Sequence, residues 1–383
     1  MSKSAAPSTP LREHLDRLSS FEPSEDAPVL SLYLDAQPDQ HGRDNYDAWL
    51  RKTLSERART FKGQARESFD QDVARITTFL AEDARRSANG LVMFACAARG
   101  LFDTIQLDVS FDDHWLFIGS VPHLYPLARL NDQFPRYAAL LVDTNSARLF
   151  VFGLGATESG KDVRNVKTKR TSQGGWSQAR YQRHLANFHL QHLKEVADTL
   201  ERVVRDETID RIVVSCDEVT KPTLLEQMPK HLADKIVDIV RLDINAPERD
   251  VLTRTLEALR GHDAATDTER VEALIGAWRA NGLGVVGPEA CLEALEMGQV
   301  EELLITATPS MLKQPESLRA PVAPGPVEVD TSAPVAETDA NQFKMADELV
   351  TKAQQTGARV RFIEDKSLLT DVGGVGALLR FKI

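Results

Sequence analysis

The run from Tyr137 to Asp243 narrows the choice of folds more than any other part of the chain. It opens with YAALLVDTNSARLFVFG, two apolar stretches around the short polar turn DTNS, the pattern of paired strands. Farther on, Tyr181, Leu185, Phe188, His192, Val196, Leu200 and Val203 recur at spacings of three and four, one face of a helix. DRIVVSCDEV and KIVDIVRLD then read as buried strands. Strands alternating with helices imply an α/β layer domain.

A length of 383 residues suggests two or three domains. In the first third, PVLSLYLDA, GLVMFAC, LFDTIQLDV and HWLFIG read as strands, with a helical stretch from about Asn45 to Asp83. VPHLYPLARLNDQFP, rich in prolines and aromatics, reads as a connection to the next unit. A third unit is expected to start near Gly261, with an amphipathic helix over Thr268–Gly282. Helix and strand follow in GPEACLEALEMGQVEELLITATP. Residues 309–340 are rich in Pro, Ala, Val and Glu and read as an insertion with no core of its own. A helix resumes at Phe343, ARVRFIED is a strand, and GGVGALLRFKI is a strand entered through glycines. The insertion therefore splits one domain. The expected division is 1–131, 132–260 and 261–383, all mixed α/β.

Several function classes fall away. There is no phosphate-loop signature and no nucleophile elbow. The three cysteines, Cys96, Cys216 and Cys291, lie far apart without metal-ligand spacing and are expected to be reduced, buried thiols. No apolar run is long enough to cross a bilayer, and the N-terminus lacks the apolar core of a secretory signal, so a cytoplasmic protein with no membrane partner is expected. His184, His189 and His192 share one helix, but spacing places no third ligand near them. They are expected to be surface or RNA-facing.

A net charge of −11 argues against general nucleic-acid binding, yet the window from Lys161 to Lys194 holds eight basic residues and one acid, Asp162. At its centre, in KTKRTSQGGWSQARYQRH, stands the pair Gly174–Gly175. Adjacent glycines allow backbone angles and close approaches that a Cβ forbids. Just before a helix, unpaired backbone N–H groups favour an anion or developing negative charge. A flexible hinge capped by Ser177 accounts for the same residues equally well.

The stretch RTSQGGWSQARYQRHLANFHLQHLKEVADTL resembles the central-domain loop and helix of archaeal and eukaryotic class-1 peptide release factors. In that family the loop carries Gly-Gly-Gln, followed by Ser-x-x-Arg-[Phe/Tyr]; Ser177, Arg180 and Tyr181 match the continuation. GPEACLEALEMGQVEELLI and ADELVTKAQQTGARVRFIEDKS…GGVGALLRFKI are similar to the family's C-terminal segments, and NGLVMFAC to a strand of its first domain. The likeness covers about two thirds of the chain and fits best the bacterial release-factor-like branch with the Vms- and Pelota-type proteins. It implies three α/β domains of release-factor type, the third similar to the kink-turn-binding ribosomal protein fold.

The chain departs from that pattern in two places. Trp176 stands where the catalytic glutamine would, and the next glutamine, Gln178, is displaced by two positions. No Asn-Ile-Lys-Ser decoding motif is present; RDNYDAWLRKTLSE stands near its place. The resemblance therefore implies hydrolysis of the peptidyl-tRNA ester on stalled ribosomes without stop-codon reading. In that reading Gly174 and Gly175 let the loop enter the peptidyl-transferase centre, the Trp176 backbone N–H serves the leaving oxygen, and Gln178 positions water. Lys167, Lys169, Arg170, Arg180 and Arg183 would hold rRNA or the acceptor end of the P-site peptidyl-tRNA. A translational GTPase is a further partner the resemblance implies; no cofactor or metal is implied. The alternative is a non-catalytic ribosome-binding rescue or hibernation factor of Pelota type; a tryptophan in the glutamine position favours it, whereas the retained Gly174–Gly175 pair favours hydrolysis.

Overall fold

A computed structural model describes residues 11–23, 27–38, 46–154, 156–164, 176–312 and 337–382. Two compact units emerge: residues 1–133 together with 267–383, and residues 134–266.

The first unit begins with α1 (Leu11–Ser19), β1 (Val29–Asp35), α2 (Asp47–Ala58), α3 (Gly63–Glu82), β2 (Gly90–Cys96), β3 (Leu101–Leu107), β4 (Trp115–Gly119) and α4 (Tyr125–Gln133). Its strands form an antiparallel sheet in the order β3-β2-β1-β4. Alternation decides the faces. Leu30, Leu32 and Leu34 of β1 join Leu91 and Met93 under Leu50, Leu54, Phe69 and Ile76 of the helical hairpin. Tyr33 points the other way and meets Phe94, Phe111 and Phe117 edge-on. The helical stretch expected over 45–83 is thus two helices broken at residues 59–62. α1 is pinned to the sheet by His14 Nδ1, 3.0 Å from both carboxylate oxygens of Asp103, with Arg17 donating to the same carboxylate.

The second unit holds β5 (Tyr137–Val142), β6 (Ser146–Gly153), β7 (Ala156–Arg164), α5 (Trp176–Asp206), β8 (Ile212–Ser215), α6 (Thr220–Gln227), α7 (Lys230–Ala233), β9 (Ile236–Val240) and the start of α8 (Glu248–Arg279). Its sheet runs β7-β6-β5-β8-β9, parallel from β5 through β9 and antiparallel across β6 and β7. Ala138, Leu140 and Val142 face α5, whereas Tyr137, Ala139 and Leu141 face Val251 and Leu259 of α8. The expected α/β layering is present, and each fully buried aliphatic side chain in it contributes about 1.5–3 kcal/mol.

The remaining elements return to the first unit: the end of α8, β10 (Gly284–Val286), α9 (Pro288–Glu296), β11 (Val300–Thr306), α10 (Glu337–Gln355), β12 (Arg359–Ile363), α11 (Lys366–Leu369) and β13 (Val375–Leu379). Their sheet is ordered β10-β13-β11-β12, with β11 and β12 parallel. Two glycines at the start of β13 have steric reasons. Gly374 has φ of +82°, and a Cβ there would stand 2.9 Å from the Met311 carbonyl oxygen. A Cβ on Gly376 would stand 2.4 Å from Leu274 Cδ2 of α8. All three cysteines are buried and unpaired with one another, as expected.

Three expectations need correction. The segment read as a connection near residues 121–135 contains α4, a helix held by distant partners: Asp347 on α10 accepts from Leu124 and Tyr125, and Tyr125 Oη donates to the Thr306 carbonyl at 2.7 Å. The helix expected over Thr268–Gly282 starts twenty positions earlier: α8 runs unbroken from Glu248 to Arg279 with Gly261 inside it, where a Cβ would meet nothing. β7 is absent from the strands read in the sequence, because it is too polar to announce itself.

Candidate functional site

The frame of the site is the β5–β6–β7 meander and α5. At the β5–β6 turn, Asp143 Oδ1 accepts from the backbone N–H groups of Asn145 and Ser146, both at 2.7 Å, and from Ser146 Oγ at 3.0 Å. One carboxylate thus closes the DTNS turn. β7 runs the length of β6, bringing Arg164 opposite Ser146. From that point the chain passes through residues 165–175 to α5.

α5 has 31 residues, about 46 Å at 1.5 Å per residue. Its described packing begins at His192 and continues through Leu193, Val196, Ala197, Leu200, Val203 and Val204 against the sheet. Phe188 and His189 are half-buried and Leu190 is exposed. From Trp176 to His192 is sixteen residues, about 24 Å of helix.

His192 corrects the sequence reading. It is 0% exposed, not a surface group. Burial pushes its imidazole below the ordinary value, while a hydrogen bond with the Ser146 backbone and the charges of Asp143 and Glu195 pull the other way. The ring therefore ties α5 to the β5–β6 turn. Its spacing among Phe188, Val196 and Leu200 was the available signal, and it marks a core position more than a ligand.

Of the sequence-predicted site residues, Lys167, Lys169, Arg170, Gly174 and Gly175 lie outside the described residues. The backbones of Trp176, Gln178, Arg180 and Arg183 lie in the first turns of α5. Trp176 is the first helical residue, and the opening N–H groups of a helix have no intrahelical acceptor. Among the described residues no group of His, Cys, Asp and Glu is arranged to hold a metal. No described helix is long and apolar enough to cross a membrane.

Two family profiles match the chain. The one described as bacterial archaeo-eukaryotic release factor family 10 matches residues 122–260, and eRF1 domain 3 matches residues 265–383. The first match contains β5–β7, the 165–175 segment and α5. Among solved structures, the archaeal translation termination factor aRF1 is 16% identical over 97% of each chain, with a TM-score of 0.26. Dom34 of S. cerevisiae, described as a translation termination-like factor, is 9% identical over 76% of this chain and 80% of its own, with a TM-score of 0.43. Archaeal Pelota in a ribosome-bound model with ABCE1 is 14% identical over 97% and 94%, with a TM-score of 0.41. These superpositions are loose, and the two segment matches carry the relationship. No curated protein sequence matches the chain.

Proposed function

For a chain that belongs to the archaeo-eukaryotic release-factor and Pelota-like proteins, we propose a role at the ribosome in rescue of stalled translation, by hydrolysis of the peptidyl-tRNA ester. The observation that carries this reading is the family-10 match across residues 122–260, which includes the Gly174–Gly175 pair and its basic surroundings.

Ester hydrolysis needs a water aimed at the carbonyl and donors for the oxyanion and the departing 3′-oxygen. A backbone N–H does the second task without a particular side chain. The start of α5 at Trp176 supports giving that task to the Trp176 N–H, reinforced by the positive end of the helix dipole. Gly174 and Gly175 supply backbone freedom, and Gln178 positions the water. Lys167, Lys169, Arg170, Arg180 and Arg183 hold RNA phosphates. The working partners are rRNA, P-site peptidyl-tRNA and a translational GTPase, and the working location is the cytoplasm. The divisions 1–131, 132–260 and 261–383 remain the proposed functional segments.

The second reading, non-catalytic binding of Pelota type, is favoured by Trp176 in the glutamine position. Release of labelled peptide from stalled ribosome complexes at saturating protein separates the two. The hydrolase reading expects cleavage by the wild type, near-complete loss in Gly175→Ala with ribosome binding retained, and a smaller clear loss in Gln178→Ala. Wild-type protein that binds but never cleaves supports the second reading. Cleavage that survives both substitutions discards these site residues.

A further inference from the structure

The helical hairpin of the first unit is incompletely closed. Between α2, α3 and one end of the central strands β1 and β2, at Ala36, Ala88 and Leu91, lies a cleft of about 850 Å³. Leu50, Leu54, Phe69, Val73, Leu80 and Leu91 line its floor, and Val73 and Leu80 are only half-buried. Five arginines stand around it: Arg51 from α2, Arg59 just past its end, Arg66 from α3, and Arg85 and Arg86 from the turn after α3. Only two acids join the lining, and each is engaged: Asp47 with Arg51 at 3.0 Å and Asp70 with Arg66 at 2.8 Å. Arg85 approaches Asp108 at 3.8 Å. Arg59 and Arg86 are exposed and form no ion pair among the described residues.

We propose that this cleft binds an acidic, aliphatic peptide segment of a partner protein. The charge is complementary and local. The chain carries −11 overall, so a polyanion is repelled at long range and is held only where guanidinium groups concentrate. Those groups are spread along both walls and beyond one end, which suits a ligand with several carboxylates along its length better than one with a single anionic head. The apolar lining decides between peptide and nucleic acid. Single strands are held by exposed aromatic platforms, whereas the aromatics here, Tyr46 and Phe69, are 5% and 1% exposed. What the cleft offers is aliphatic surface, the partner of Leu or Val side chains. α2 has 12 residues, about 18 Å, which accommodates about three turns of a peptide helix laid into the groove.

The test uses the full chain and a fluorescein-labelled twelve-residue peptide of Glu and Leu in helical register, read by fluorescence anisotropy. Saturable binding is expected at 0.1 M salt, weakening with added salt. The double variant Arg59→Glu/Arg86→Glu should lose about tenfold or more in affinity while its thermal unfolding stays at the wild-type temperature, because neither side chain holds the fold. A peptide with Gln for Glu should bind about tenfold more weakly than the acidic one. Absence of saturable binding, or binding indifferent to the double variant, overturns the proposal. So does arginine-dependent binding of a twelve-nucleotide oligouridylate, or of palmitate, that is tighter than that of the peptide.

Discussion

Asp347 caps a helix that begins more than two hundred positions earlier: its Oδ1 accepts from the Leu124 N–H at 2.5 Å and the Tyr125 N–H at 3.1 Å. The same oxygen lies 3.3 Å from His123 Nδ1. The opening turn of α4 thus depends on α10 for its acceptor. Asp132 of α4 returns the favour by accepting from the Phe362 N–H of β12 at 2.9 Å, and Arg129 and Gln133 reach Glu364. These contacts join the two sequence segments of the first unit.

Asp347→Ala removes the cap and strands two buried N–H groups. Losing a cap costs about 0.5–2 kcal/mol, and an unsatisfied buried donor about 1–3 kcal/mol. Urea unfolding is expected to show a loss of about 2–4 kcal/mol. Asp347→Asn keeps an acceptor oxygen and should lose clearly less. Equal losses in the two variants would show that the charge facing His123, and not the cap, is what matters.

Legibility of the chain follows from how local each signal is. The alternation of Tyr137, Ala139 and Leu141 against Ala138, Leu140 and Val142, and the spacing of Val196, Leu200 and Val203, reflect contacts made over whole elements, so period alone reveals them. α4 was opaque because its cap is 223 positions from Leu124 and leaves no mark nearby. β7 was opaque because it is an edge strand, and an edge strand needs few apolar residues. His192 read as surface because a histidine is ambiguous until its neighbours are known. The Gly174–Gly175 pair declares backbone freedom and nothing about chemistry; its candidate role came from resemblance alone.

Two glycines should respond in opposite directions. Gly376→Ala brings a Cβ to 2.4 Å from Leu274 Cδ2 and 3.2 Å from the Val285 carbonyl oxygen. Overpacking of this kind costs about 1–3 kcal/mol. Gly261→Ala, in the interior of α8 with open space around it, should stabilise by about 0.5–1 kcal/mol through helix propensity. Denaturant midpoints of the two variants check this, and a destabilised Gly261→Ala would mean that α8 bends at that point in solution.

Asp72 on α3 is 0% exposed, and neither carboxylate oxygen makes a hydrogen bond of ordinary geometry. Burial pushes it up to about 6, against the weaker pull of the Ala97 backbone and Arg75. Between the unfolded value of 3.8 and about 6, the folded state holds a proton that the unfolded state has released, so stability falls as pH rises through this window. Asp72→Asn should therefore be more stable than wild type at pH 7–8, by about 1–3 kcal/mol, with the difference shrinking towards pH 4. A gain that is the same at both pH values would assign the effect to packing instead of ionisation.

His192 runs the opposite way and bears on the proposed site. Its folded value is depressed by burial, so between the ordinary value of 6.5 and that lower one the unfolded state binds the proton and the folded state does not. Stability is complete above pH 6.5 and is lost as pH falls through the window. The groups facing it are Asp143, Glu195 and His189, and the ring bonds the backbone of Ser146. Protonation would put a charge where α5 meets the β5–β6 turn and would loosen the part of the helix that carries Trp176 and Gln178. His192→Gln has no titrating ring, so the pH dependence of unfolding of residues 134–266, followed by hydrogen exchange along α5, should flatten between pH 5 and 7. Protection at Leu193, Val196 and Leu200 should fall with acidification in the wild type and hold level in the variant. Exchange in α5 that rises equally in both proteins would remove His192 as the cause and leave another group beside the helix to account for it.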